Sequence, residues 1–325
     1  MRNTYYHDRM NLVARIMAGL GSLGALAVVA LRVWVSPSQR DIDTGLFSTN
    51  LPVIGLLLFL LLMLGCGVFI TRGGFRQEIV GKSSLALAVT LLTAGTAMVL
   101  FAAAELLARF GVITFYTVTA VDPEAATLVK VLPWLQTAFC LLGGVAFVRL
   151  GLMLASEGAT RRGMARWSLL TPVLWMWLVL ANYEMSYASM VRLSDGFFTL
   201  GMYIMEMLFL FYFARYVSGV GRVGFGTMLF FSAGTALFAV SGPLVRLGMY
   251  LLQDGEAYVA AGAAGPLDLL VGLLAVVVSI TLCQSLSVVP EEEPDENPEW
   301  SDGPDSVSVV DLIEVSADDE GLNEE

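Results

Sequence analysis

Apolar stretches as long as a bilayer is thick fill most of this chain, and few architectures can house them. A helix rising 1.5 Å per residue needs about 20 mostly apolar residues to cross the hydrocarbon core. Eight stretches meet that length, at roughly 11–35, 51–71, 84–107, 131–155, 167–190, 197–217, 224–252 and 266–287. The clearest, LPVIGLLLFLLLMLGCGVFIT, lies in a segment without a charge over residues 44–71. The fifth and sixth are joined by a very short VRLSDG link, but their combined length is too great for one crossing. Alternation of the kind a membrane barrel requires is missing. The expected fold is all-α: a polytopic membrane bundle of eight transmembrane helices.

Composition agrees. Of 325 residues, 57% are hydrophobic and 14% charged, with a mean hydropathy of +0.74, whereas a soluble domain carries about a quarter charged residues. The formal net charge of -11 is local in origin. Residues 291–325 hold 15 of the 29 acidic groups and no Lys or Arg, so the other 290 residues carry 18 basic against 14 acidic. This balance excludes a nucleic-acid binder, which would need a basic face outside the bilayer. The domain reading is an N-terminal arm at 1–10, a membrane domain at 11–287 and a disordered acidic tail at 288–325.

Orientation follows from Lys and Arg in the loops. With the N-terminus cytoplasmic, the inner side collects Arg2, Arg9, Arg72, Arg76, Lys82, Arg161, Arg162, Arg166 and Arg222, and the outer side Arg40, Arg109, Lys130 and Arg192. That excess predicts both termini in the cytoplasm. Arg2, Arg9 and Arg15 before an apolar run also resemble a secretory signal, but the run is long, is bordered by Trp34 and precedes no exported domain, so it reads as a permanent helix.

Several motifs reduce to packing or chance. Cys66, Cys140 and Cys283 lie in separate apolar stretches and offer neither a disulfide framework nor a Cys-x-x-Cys site. A single histidine, His7, removes the usual ligand for haem or catalytic zinc. Gly19, Gly21 and Gly24 spell G-x-G-x-x-G inside an apolar helix with no preceding strand, which is not a dinucleotide fingerprint. Ala18, Gly21 and Ala25 instead suit close approach of a neighbouring helix, as do Gly65 with Gly67 and Gly143 with Gly144. Asp41 and Asp43 form a short D-x-D that reads as a solvated loop. Met185, Met202, Met205 and Met207 read as packing residues rather than a copper path. No cofactor and no metal are expected.

Charges inside the spans are the better lead, because they are costly there and usually face a protein interior or a water-filled cavity. Glu184 lies about 9 Å and Glu206 about 14 Å from the outer ends of their helices, and Arg246 about 8 Å. Asn182, Tyr183, Ser186 and Tyr187 surround Glu184 in sequence, predicting a polar pocket that opens outward. Pro243, one turn before Arg246, should kink the seventh span. Equal depth makes Glu184 the expected counter-ion of Arg246, leaving the deeper Glu206 free to exchange a proton. The plainer reading is a structural ion pair with snorkelling side chains.

The tail has too much charge and proline to bury a core. Its apolar island at 307–315 offers Val309, Leu312 and Ile313 on one helical face, or alternate residues for strand addition, as a docking peptide for a cytoplasmic protein. A solvated, solubilising tail is the alternative.

The stretches WLVLANYEMSYASMVRLSDGFF and EMLFLFYFARYVSGV resemble a pattern in uncharacterised bacterial multispan membrane proteins with no assigned activity. The resemblance covers the fifth and sixth spans and the start of the seventh. It implies a bacterial cytoplasmic membrane and carries no catalytic residue. The expected function is a non-enzymatic sensor or scaffold whose tail binds a cytoplasmic partner. A small-solute or ion transporter using Glu184, Glu206 and Arg246 is the alternative, and an enzyme ranks third because no nucleophile–base pair or metal cluster stands out in the sequence.

Overall fold

The computed structural model describes residues 2–39, 51–72, 85–112, 127–156, 166–186, 193–218, 224–252 and 265–286. Among them the chain is all-helical, with eight α-helices: α1 (Arg2–Gln39), α2 (Leu51–Arg72), α3 (Leu85–Arg109), α4 (Thr127–Ala155), α5 (Thr171–Ser186), α6 (Leu193–Ser218), α7 (Phe225–Leu252) and α8 (Pro266–Leu286). The chain divides into two units, Met1–Val288 and Val289–Glu325, and the tail residues Val309, Leu312 and Ile313 lie outside the described residues.

Six helices carry stretches long and apolar enough to cross a membrane: Asn11–Val33, Leu85–Arg109, Lys130–Ala155, Phe198–Ser218, Phe225–Gly248 and Pro266–Gln284. In α2 the described apolar stretch, Ile54–Val68, is shorter. The fifth stretch differs from the single helix expected over 167–190. It opens as a 3₁₀ turn, Arg166–Leu170, before a 16-residue α5. Pro172 falls in the first turn of α5, where its missing N–H forfeits no intrahelical bond. The Thr171 hydroxyl bonds the Ser168 carbonyl at 2.6 Å and ties the two pieces together. At the other boundaries the described helices agree closely with the hydropathy reading, except that α1 begins at Arg2 and so absorbs the expected arm.

Lipid tails are as apolar as leucine, so burial of apolar area does not hold helices together within a bilayer; close packing and interhelical hydrogen bonds do. The contacts accordingly concentrate at small residues. A Cβ on Gly95 would meet the Gly144 carbonyl oxygen at 2.7 Å, and one on Gly144 would meet that of Gly95 at 2.7 Å, so the backbones of α3 and α4 touch. Gly21 brings α1 equally close to α7, where a Cβ would lie 2.6 Å from the Ala233 oxygen. Gly143 faces Pro172 of α5. Gly65 departs from the expectation: nothing lies within 4 Å of the position a Cβ would take. Sequence spacing identifies small residues but not the side of a helix on which they fall.

The same contacts fix directions. Gly21 meets Ala233, Gly24 meets Leu237 and Gly248 meets Val33, so α1 and α7 run parallel. Gly201 meets Phe238, and the Thr235 hydroxyl donates to the Met205 carbonyl at 2.8 Å, which makes α6 antiparallel to α7. Gly272 meets Ala239, and the Ser279 hydroxyl donates to Ser232 Oγ at 2.8 Å, which makes α8 antiparallel to α7 as well. Helix α7 packs against α1, α2, α6 and α8 and forms the centre: 72% of its apolar window is buried, against 33% in α1. Helix α5 packs between α4 and α6.

One terminus shows its stop signal. At the end of α3, Gly111 takes a positive φ of 72°. Its N–H bonds the Ala108 carbonyl at 3.0 Å, and that of Val112 bonds the Leu107 carbonyl at 2.9 Å. This pair is the Schellman arrangement, which satisfies carbonyls that the helix end would otherwise leave open.

Candidate functional site

The end of the bundle at which α1 and α7 finish and α6 and α8 begin, which we term the distal end, gathers buried charge. Helix α8 starts with Gly265, Pro266, Leu267 and Asp268. Pro266 suits a first helical position, and the Asp268 carboxylate accepts the Gly265 N–H at 2.5 Å, closing the first turn from within. Asp268 is buried. Its negative charge also favours the positive end of the helix dipole.

Arg246 of α7 lies within electrostatic range of Asp268, and Asp268 within range of Glu206 on α6. This brings in Asp268, which equality of depth with Glu184 had left out, as an acidic neighbour of Arg246. Depth along a helix fixes height and leaves bearing open, and the main helical neighbours of α5 are α4 and α6. Glu184 is exposed on the surface of the bundle, while Tyr183, one residue away and 100° around the helix, is buried edge-on against Tyr203 at 5.3 Å between ring centroids. Asn182 turns elsewhere again, its amide donating to Gln136 of α4 at 3.2 Å. The outward-opening pocket expected around Glu184 is therefore not assembled from these side chains. Tyr187 lies outside the described residues.

Glu206 is the distinctive group. It is 0% exposed, and among the described residues neither carboxylate oxygen has a hydrogen-bond partner. Most buried polar groups are satisfied, so one that is not calls for an explanation. Its neighbours explain the lack of donors. Met205 packs against Gly234, and the Thr235 hydroxyl is already spent on the Met205 carbonyl. Chemically, such a carboxyl can take a proton or a small polar ligand, with Asp268 shaping the field around it.

Sequence reasoning passed over Arg32. It is buried on α1, with its guanidinium 4.0 Å over the Phe198 ring of α6, an arrangement favourable for a desolvated cation. Because Val33 faces Gly248, Arg32 stands near the height of Arg246. The signal was available, since an arginine inside an apolar span is a functional candidate by default. Glu105 is engaged separately between α3 and α4. It accepts the Thr137 hydroxyl at 2.6 Å and faces Arg109 at 3.9 Å, while Arg109 also reaches the Pro133 carbonyl at 3.4 Å. That knot ties α3 to α4 through Glu105, although Arg109 Nε is buried there without an acceptor, and it reads as helix cement.

Comparison with family models, with curated proteins and with solved structures finds no match for this chain. Fold and local chemistry therefore carry the functional reading, and they describe a helical protein of multi-pass membrane type.

Proposed function

We propose that the chain is a non-enzymatic membrane sensor or scaffold, whose helical body registers a ligand or proton at Glu206 and whose acidic tail binds a cytoplasmic protein. The observation that carries the reading is the carboxyl of Glu206, wholly buried and without a hydrogen-bond donor among the described residues. A group so costly to retain is best accounted for by use. Small-solute or ion transport is the second reading, favoured by the proximity of Glu206, Asp268 and Arg246.

The tail separates the two. A chain ending at Pro290 should lose its copurifying partner if it is a scaffold, and should keep flux in proteoliposomes if it is a transporter. Within the full chain, replacing Leu312 and Ile313 with Ser should abolish partner recovery and leave membrane insertion intact. Unchanged recovery would return residues 307–315 to a solubilising role.

The proposed topology is eight spans in a bacterial cytoplasmic membrane with both termini cytoplasmic, supported by the distribution of Lys and Arg. Reporter fusions after Asp122 and Asp254 should register outside, and fusions after Gly163 and Gly303 inside. An outside signal at Gly303 overturns the eight-span reading and removes the cytoplasmic partner with it.

A further inference from the structure

We propose that the groove between α1 and α8 binds an anionic phospholipid. A cavity of about 350 Å³ opens there, within the range of about 300 to 1,000 Å³ usual for small-molecule sites. It is independent of the Glu206 region. Its two walls run antiparallel: Arg15 acts electrostatically on Cys283 at one end, and Ser22 and Val276 line the other. Seven residues of helix separate Arg15 from Ser22, so the groove extends about 10 Å along the pair.

Polarity changes along that length as it does along a phospholipid. Arg15 lies four residues inside the apolar stretch read from Asn11, and Gln284 lies two residues before the end of α8. Both occupy the level at which a long polar side chain reaches the membrane surface. Deeper in, the walls are Gly19, Val276 and Ile280. Nothing stands within 4 Å of a Cβ on Gly19, so the α1 wall is recessed there. Ser22 adds no hydroxyl proton to the deep end, because it donates to the Ala18 carbonyl at 3.0 Å. The deep end suits an acyl chain and the shallow end a headgroup.

Charge selects the headgroup. Arg15 is exposed, and no acidic side chain among the described residues lines the groove. A guanidinium presents paired N–H donors that match phosphate geometry. Arg2 and Arg9 precede it on the same helix, and basic pockets between spans at the membrane surface favour anionic lipids. A second copy of the chain would have to bring its own acid to this end, whereas the bilayer supplies an anionic headgroup already.

The test is native mass spectrometry of the full chain released from nanodiscs of equal phosphatidylglycerol and phosphatidylcholine. The wild type should retain phosphatidylglycerol in preference. Arg15→Ala should lower that retention about fivefold, leaving phosphatidylcholine unchanged, and Gly19→Leu, which fills the recess, should remove both. Equal retention of the two lipids by the wild type overturns the proposal, as does unchanged phosphatidylglycerol binding in Arg15→Ala. A two-chain species that Gly19→Leu splits, with no lipid adduct, makes the groove an interface between copies and also overturns it. If Arg15→Ala does not accumulate, the wild-type preference decides alone.

Discussion

A Glu206→Met variant should be more stable than the wild type, by about 1 to 3 kcal/mol, because two buried oxygens without donors are replaced by an unbranched apolar side chain. Thermal unfolding of the purified chain would register the gain. Function should move the other way, with the response of the body to its ligand or proton lost. Glu206→Lys should instead fail to fold, since a longer cation at a fully enclosed position has nowhere to reach. The opposition of stability and function is the informative result, as functional groups commonly persist at the expense of stability. Should Glu206→Met unfold at a lower temperature and leave partner recovery untouched, the carboxyl is structural and the sensor reading loses its main support.

The second large effect belongs to the α3–α4 contact. A Cβ at residue 144 would already stand 2.7 Å from the Gly95 oxygen, and the obstruction is backbone rather than a side chain that can swing away. Gly144→Leu must therefore separate the helices, stretching the 2.6 Å hydrogen bond from Thr137 to Glu105 with them. Destabilisation of about 3 kcal/mol, at the upper end of what overpacking ordinarily costs, is expected. Gly65→Leu serves as the control. With nothing within 4 Å of a Cβ there, it should stay within about 0.5 kcal/mol of wild type. Equal melting shifts for the two variants would remove the argument that backbone contact, and not glycine content, holds this pair.

Hydropathy alone disclosed the helical class and most described helix ends to within four residues, because the length of an apolar run is a property of consecutive residues. It gave heights for Glu206 and Arg246 as well. Bearing was beyond its reach. Whether Glu184 or Asp268 faces Arg246 depends on which helices are neighbours, and neighbour order is decided by contacts such as Gly21 on Ala233 that join distant parts of the chain. Asp268 stands near a span boundary, and Gly265-Pro266-Leu267-Asp268 carries the spacing of a self-closing helix start. Arg32 lies one residue from the end of its apolar stretch, where sequence does not separate a snorkelling side chain from a buried one. The division of α5 turned on Pro172, whose position in a first turn becomes visible once the turn itself is known.

The parallel contact of α1 with α7 has a consequence for the ribosome. Gly21 and Ala233 are 212 residues apart (233 less 21). At about 5 to 20 residues per second, the first helix must wait roughly 10 to 40 seconds after its own synthesis before its principal neighbour has been made. The α3–α4 hairpin closes over a far shorter interval and is available early. During biogenesis the surface of α1 that later receives Ala233 therefore lacks its α7 partner throughout that interval.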